Sequence, residues 1–118
     1  MSTHPNAILA VALKPDGLTR ATFRAIQVEM DTSDDDAAFK IGGKSYNVEI
    51  MESDYSEDYQ ISADEGDIVV FDMVTYGYGA VITWDALDTQ KRVLDEWAAG
   101  ICERHKCTRR IFVTANYW

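Results

Sequence analysis

Two short stretches hold most of the residues in this chain that could do chemistry. MESDYSEDYQISADEGD, residues 51 to 67, puts seven carboxylates and two tyrosines into seventeen positions without one lysine or arginine. CERHKC, residues 102 to 107, brings two thiols and an imidazole within six positions. Clustered carboxylates suit a hard cation, acid–base catalysis, or a partner that expects negative charge. Thiols with a histidine suit zinc or nucleophilic catalysis.

Each chemistry asks for more than residue type. A structural zinc site wants four ligands, normally with a second matching pair, and His4 is the only other histidine. Cys102 falls on the apolar face of a helix expected around it and reads as a small core residue, and His105 as a cation near that helix's C-terminus. Cys107 follows among basic residues and is expected to be exposed. The glycine pairs in IGGK and GYGA match neither a phosphate loop nor a dinucleotide fingerprint. Carboxylates are so abundant that no two of them stand out as an acid and a base. The chain therefore reads as non-enzymatic, with no cofactor and no resident metal.

Asp54, Ser56, Asp58, Gln60, Ser62 and Glu65 recur at positions one, three, five, seven, nine and twelve of a twelve-residue stretch, with apolar Ile61 at eight. In that spacing the stretch resembles a calcium loop of the EF-hand family. The resemblance implies a calcium-stabilised domain using residues 54 to 65. It departs from the family at position six, where Tyr59 stands in place of glycine, and in leading to a β-rich run instead of a helix.

Charge is distributed unevenly. From Glu29 to Asp72 there are fourteen acids against Lys40 and Lys44, a net −12, while the other 74 residues carry +3. Such polarity disfavours direct contact with nucleic-acid phosphates and favours a cationic protein surface. Acids spaced along a rigid edge can imitate a phosphate row. Asp34, Asp35, Asp36, Glu52, Asp54, Glu57 and Asp58 would supply the charge, and Tyr55 and Tyr59 the contact area. In size, charge polarity and lack of catalytic motifs the chain resembles the short acidic inhibitors of phages and mobile elements, anti-CRISPR proteins and DNA mimics among them. The resemblance implies an inhibitor that occupies the basic surface of a nucleic-acid-handling protein. The alternative is a phage or scaffold assembly protein that self-associates through RRIFVTANYW, with Phe112 or Trp118 exposed. A monomer or a small homo-oligomer fits these readings.

The elements that must position these residues follow from periodicity. With 118 residues, 47% of them hydrophobic, one domain spanning residues 1–118 and one core are expected. AILAVAL, residues 7 to 13, is apolar in both alternations, as a strand buried on two faces would be. It is too short to span a bilayer and lacks the flanks of a signal peptide, which points to a cytoplasmic protein without membrane contact. LTRATFRAIQVEM, residues 18 to 30, fits both a helix and a bulged strand. Its threonines and the short KPDG turn before it favour the strand, paired as a hairpin. FKIGGKSYNVEI reads as a hairpin, YQIS as a short strand, and DIVVFDMVTY and RRIFVTANYW as longer ones. Residues 83 to 106 read as one long amphipathic helix capped by Thr83. The expected class is α+β: a mostly antiparallel sheet, one long C-terminal helix on a face, then a final strand.

Overall fold

A computed structural model describes residues 5–15, 20–30, 39–56 and 61–117. The order of elements is β1 (Pro5–Pro15), α1 (Arg20–Met30), β2 (Phe39–Ile41), β3 (Lys44–Ile50), β4 (Tyr55–Ser56), β5 (Ile61–Ser62), β6 (Ile68–Tyr76), α2 (Trp84–His105) and β7 (Cys107–Tyr117). Five strands form one sheet in the order β2-β3-β6-β1-β7. Every neighbouring pair in it is antiparallel. The class is α+β, with α2 packed on the sheet and a strand to finish.

β1 lies between β6 and β7, which is why its sequence is apolar on both alternations. Leu9, Val11 and Leu13 face one layer of core with Val70, Ile68, Tyr46, Ile26, Met30, Leu94, Ala98 and Ile101. Ile8, Ala10 and Ala12 face the other layer with Val69, Phe71, Met51, Ile61 and Ala63. Ala10 is in register with Phe71 on one side and Phe112 on the other. A methyl group on the middle strand leaves room for a phenyl ring on each neighbour.

The β2–β3 turn is set by Gly42 and Gly43, both at positive φ (60° and 85°). Two consecutive positive φ angles define the type I′ turn, whose twist matches the strands it joins.

α2 buries Leu94, Ala98 and Ile101, spaced four and three residues apart along one stripe. Thr83 caps it: its hydroxyl oxygen accepts a hydrogen bond from the Ala86 amide at 3.2 Å. Removing that acceptor orphans one amide of the first turn, so Thr83→Ala is expected to cost about 1 kcal/mol in urea unfolding. A loss near zero would show that water replaces the hydroxyl at this exposed end.

Residues 20–30 are a helix, not the strand that their threonines favoured. Ile26 and Met30 are buried while Val28 is 79% exposed. A strand would have put all three on one side; a spacing of four, with the residue between turned outward, belongs to a helix. The outcome is tertiary. α2 offers the neighbour, and Arg104 and His105 from its last turn both bind Glu29. The Arg104 guanidinium, bonded through Nε at 2.7 Å, holds the Glu29 carboxyl below its usual range, with His105 adding to the effect.

Candidate functional site

β3 and β6 are antiparallel neighbours that a few residues could join, yet their connection runs from Met51 to Asp67. That connection is the acidic stretch. Its base is closed by backbone hydrogen bonds from Met51 N to Asp67 O (2.9 Å) and from Gly66 N to Met51 O (2.8 Å). Between them the chain folds back across the sheet face that the helices leave bare. Met51, Ile61 and Ala63 turn inward and are 2%, 0% and 6% exposed. The segment is a cover with an apolar lining.

β4 and β5 pair antiparallel within it, Tyr55 opposite Ser62 and Ser56 opposite Ile61. The Asp54 carbonyl accepts from the Ala63 amide, and Asp54 Oδ1 from the Glu65 amide, each at 3.3 Å. Ser53 Oγ donates to the Tyr55 carbonyl at 2.8 Å. This hairpin holds Glu52, Asp54, Tyr55 and Glu65 outward, all exposed. Among the described residues, no cation pairs with Glu52, Asp54 or Glu65. Asp34, Asp35, Asp36, Glu57, Asp58 and Tyr59 lie outside the described residues.

Not every acid of the segment is displayed. Asp64 binds Lys14 of β1 at 2.5 Å, which lowers the carboxyl's pKa and raises that of the ammonium. Asp72, on the helix side of the sheet, is held by Lys44 at 2.8 Å. Asp67 is 5% exposed and closes a turn: its Oδ2 accepts from the Asp64 amide at 3.2 Å, and its own amide donates to Asp64 O at 3.0 Å. Burial raises the Asp67 pKa, partly offset by that backbone hydrogen bond.

A raised carboxyl pKa contributes stability below the unfolded value and loses it as pH rises through the folded one. Asp67→Asn keeps an oxygen for the Asp64 amide and removes the ionisation. The variant is expected to match or exceed the wild type in urea at pH 7 and to lose part of its pH slope above pH 4. Asp67→Ala, which removes the acceptor, should cost about 1 kcal/mol. Equal losses in both variants would sink this account of the turn.

A cavity of about 220 Å³ opens beside the cover, lined by Ala12, Lys14, Asp64, Asp67, Thr108, Arg109 and Arg110. Its charged groups are largely satisfied within the fold. Arg109 binds Asp95 of α2 at 2.7 Å, and Lys14 binds Asp64. Arg110 lies over the Phe112 ring, 4.6 Å from its centre, and donates to the Ser62 carbonyl at 3.4 Å. Arg110 therefore fastens β5 to β7.

Phe112, expected outside, is half-buried against the same core layer as Ile61, because strand alternation turns it toward the cover. Trp118 lies outside the described residues. Cys107, expected to be exposed, is 9% exposed, since pairing with Pro15 of β1 places it under α2. Burial, then the hydrogen bond to Cys102, push its thiol pKa up to about 12. His105 turns to Glu29. Among the described residues, no group of three or more His, Cys, Asp or Glu side chains is placed to hold a metal ion.

The sequence reading passed over one exposed group. Tyr76, Tyr78, Val81 and Trp84, in and beside the β6–α2 connection, are 58%, 78%, 86% and 85% exposed. The Gly77 amide donates to Pro5 O at 2.9 Å, so this loop sits at the Pro5 end of β1, while Lys14 meets the acidic cover near the other. The signal was available in YGYGAVITW: large side chains flank Gly77 and Gly79, which hold positive φ and so favour an open loop.

These features define an α+β protein whose antiparallel sheet carries two helices on one face and an acidic, apolar-lined hairpin on the other. No protein-family model, curated protein or solved structure matches the chain. Functional assignment therefore rests on the geometry above. Among the described residues, no helix is long and apolar enough to cross a membrane.

Proposed function

We propose that this is a non-enzymatic binding protein that uses the outer face of its acidic cover to occupy the basic surface of a nucleic-acid-handling protein. One observation carries the reading. The chain spends seventeen residues on a connection between adjacent strands, anchors them through three inward apolar side chains, and turns Glu52, Asp54, Tyr55 and Glu65 to solvent. Adjacent antiparallel strands are commonly joined by about two to five residues, so a connection this long orders many residues that the strand pairing does not require. Carboxylates on a braced hairpin keep their spacing, so a lysine- and arginine-lined groove would meet charges already held in place. Asp34, Asp35, Asp36, Glu57, Asp58 and Tyr59 belong to the same proposal as further contributors of charge and contact area. Blockade would be steric and electrostatic.

The test is capture from lysate of the protein's own host at low and high salt, with and without added duplex DNA or RNA. The wild type is compared with a Glu52→Lys, Asp54→Lys, Glu65→Lys variant. A nucleic-acid-handling protein retained only by the wild type, and released by salt and by nucleic acid, supports the proposal. Recovery of the same proteins by both chains removes it.

A second reading, self-association as a scaffold, has its own support in β7. This eleven-residue strand ends the sheet, and Val113 on it is 53% exposed. A strand of that length offers a row of main-chain donors and acceptors to a second copy. A monomer by size-exclusion and scattering at micromolar concentration argues against the scaffold and leaves the inhibitor reading in place.

A further inference from the structure

α2 ends and β7 begins across a single residue, Lys106, whose left-handed conformation (φ 51°) reverses the chain. The reversal brings Cys102, from the last turn of the helix, against Cys107, the first residue of the strand. Both cysteines are free, and the Cys107 thiol donates to Cys102 Sγ across 2.9 Å. A disulfide needs about 2.05 Å between sulfurs, so closure asks for less than about 1 Å of movement. The two thiols are not equivalent. Cys102 is half-buried, whereas Cys107 lies under α2 in the main core layer.

We propose that Cys102 and Cys107 form a thiol–disulfide exchange site that accepts a low-molecular-mass disulfide as oxidant. Cys102, the more accessible sulfur, gives up its proton to water and attacks one sulfur of the small disulfide. The S–S bond of the reagent breaks, one small thiolate leaves, and a mixed disulfide remains on Cys102. Cys107 then loses its proton and attacks the Cys102 sulfur, expelling the second small thiolate. The balance is one small disulfide and two protein thiols giving one protein disulfide and two small thiols. Two electrons pass from the cysteines to the reagent.

The order of attack follows from burial. A bulky reagent reaches Cys102 first, and Cys107 serves as the resolving thiol because it is already in contact. Its raised pKa slows the second step, and the 2.9 Å contact offsets this by making that step intramolecular. The product ties the end of α2 to the start of β7 through a closed loop of six residues. The same end of α2 holds Glu29 of α1 through Arg104 and His105, so the bond would form where both helices and the edge strand meet.

The experiment treats the reduced full chain with oxidised glutathione at pH 8 and reads intact mass and free thiols. The expected wild-type product is a monomer lighter by about 2 Da with no titratable thiol. Cys107→Ser should gain one glutathione and keep it, since no resolving thiol remains. Cys102→Ser should stay unmodified under native conditions and react after denaturation, because Cys107 is covered. A wild type that retains two thiols, accumulates a stable glutathione adduct, or links into dimers would overturn the proposal. The wild-type readout stands alone should either variant fail to fold.

Discussion

Ile61→Ala is expected to lower the free energy of unfolding by about 2–5 kcal/mol in a urea titration, the cost of deleting a buried branched side chain and leaving a void. Ile61 is fully buried, sharing its core layer with Ile8, Val69 and Phe71 from the sheet and Met51 and Ala63 from the cover. The loss is a large fraction of the roughly 5–15 kcal/mol that holds a domain folded. Ile26→Ala, in the helix-side layer, provides the contrast. It should cost a similar amount yet leave the hairpin seated. The distinction is read by amide exchange: Ile61→Ala should raise exchange within residues 51–67 above that of the sheet, while Ile26→Ala should not. A neutral Ile61→Ala would mean that the hairpin is not anchored to the sheet.

Reversing three displayed charges, Glu52→Lys, Asp54→Lys and Glu65→Lys, is expected to weaken the partner complex by at least about a hundredfold at physiological salt. Each outward carboxylate stands without a described cation, so under the proposed function its field is free to act on a partner instead of closing within the fold. At 0.15 M salt that field extends about 8 Å, which confines the effect to groups near the contact and makes association slow as salt is raised. Stability should barely respond at Glu52 and Glu65, whose side chains are exposed, whereas Asp54→Lys removes the acceptor of the Glu65 amide and should cost up to about 1 kcal/mol. Asp64→Lys separates surface display from internal pairing. It places a like charge against Lys14, so its main effect should fall on stability. Binding by surface plasmon resonance and unfolding in urea check the two variants together. A reversed-charge chain that binds as tightly as the wild type would show that the acidic face does not recognise the partner.

Periodicity carried much of the fold. AILAVAL was legible as a two-faced strand because both of its alternations are apolar. α2 was legible because Leu94, Ala98 and Ile101 share a stripe behind a capping threonine. The Gly42-Gly43 turn announced its hairpin. α1 was not legible, because eleven residues with Ile26, Val28 and Met30 satisfy either period, and the choice came from α2 and the Glu29 bonds. The cover was hidden for a related reason. Its inward residues, Met51, Ile61 and Ala63, are ten and two positions apart, so no local repeat marks them. Glu52, Asp54 and Tyr55, read from the sequence as partner-contacting groups, are exposed. Cys107 was misjudged because its chain neighbours are basic, while its burial depends on Pro15, some ninety positions away.

The hairpin's division of labour has a consequence for how such a chain can change. Its grip comes from three inward side chains and a closed base, and under the proposed function its message comes from the positions facing water. Selection, or a designer, could therefore rewrite the outward letters and obtain a new specificity on an unchanged chassis. The drift that the fold alone tolerates along residues 51–67 should be lopsided, permissive at Glu52, Tyr55 and Glu65, and strict at Met51, Ile61 and Ala63.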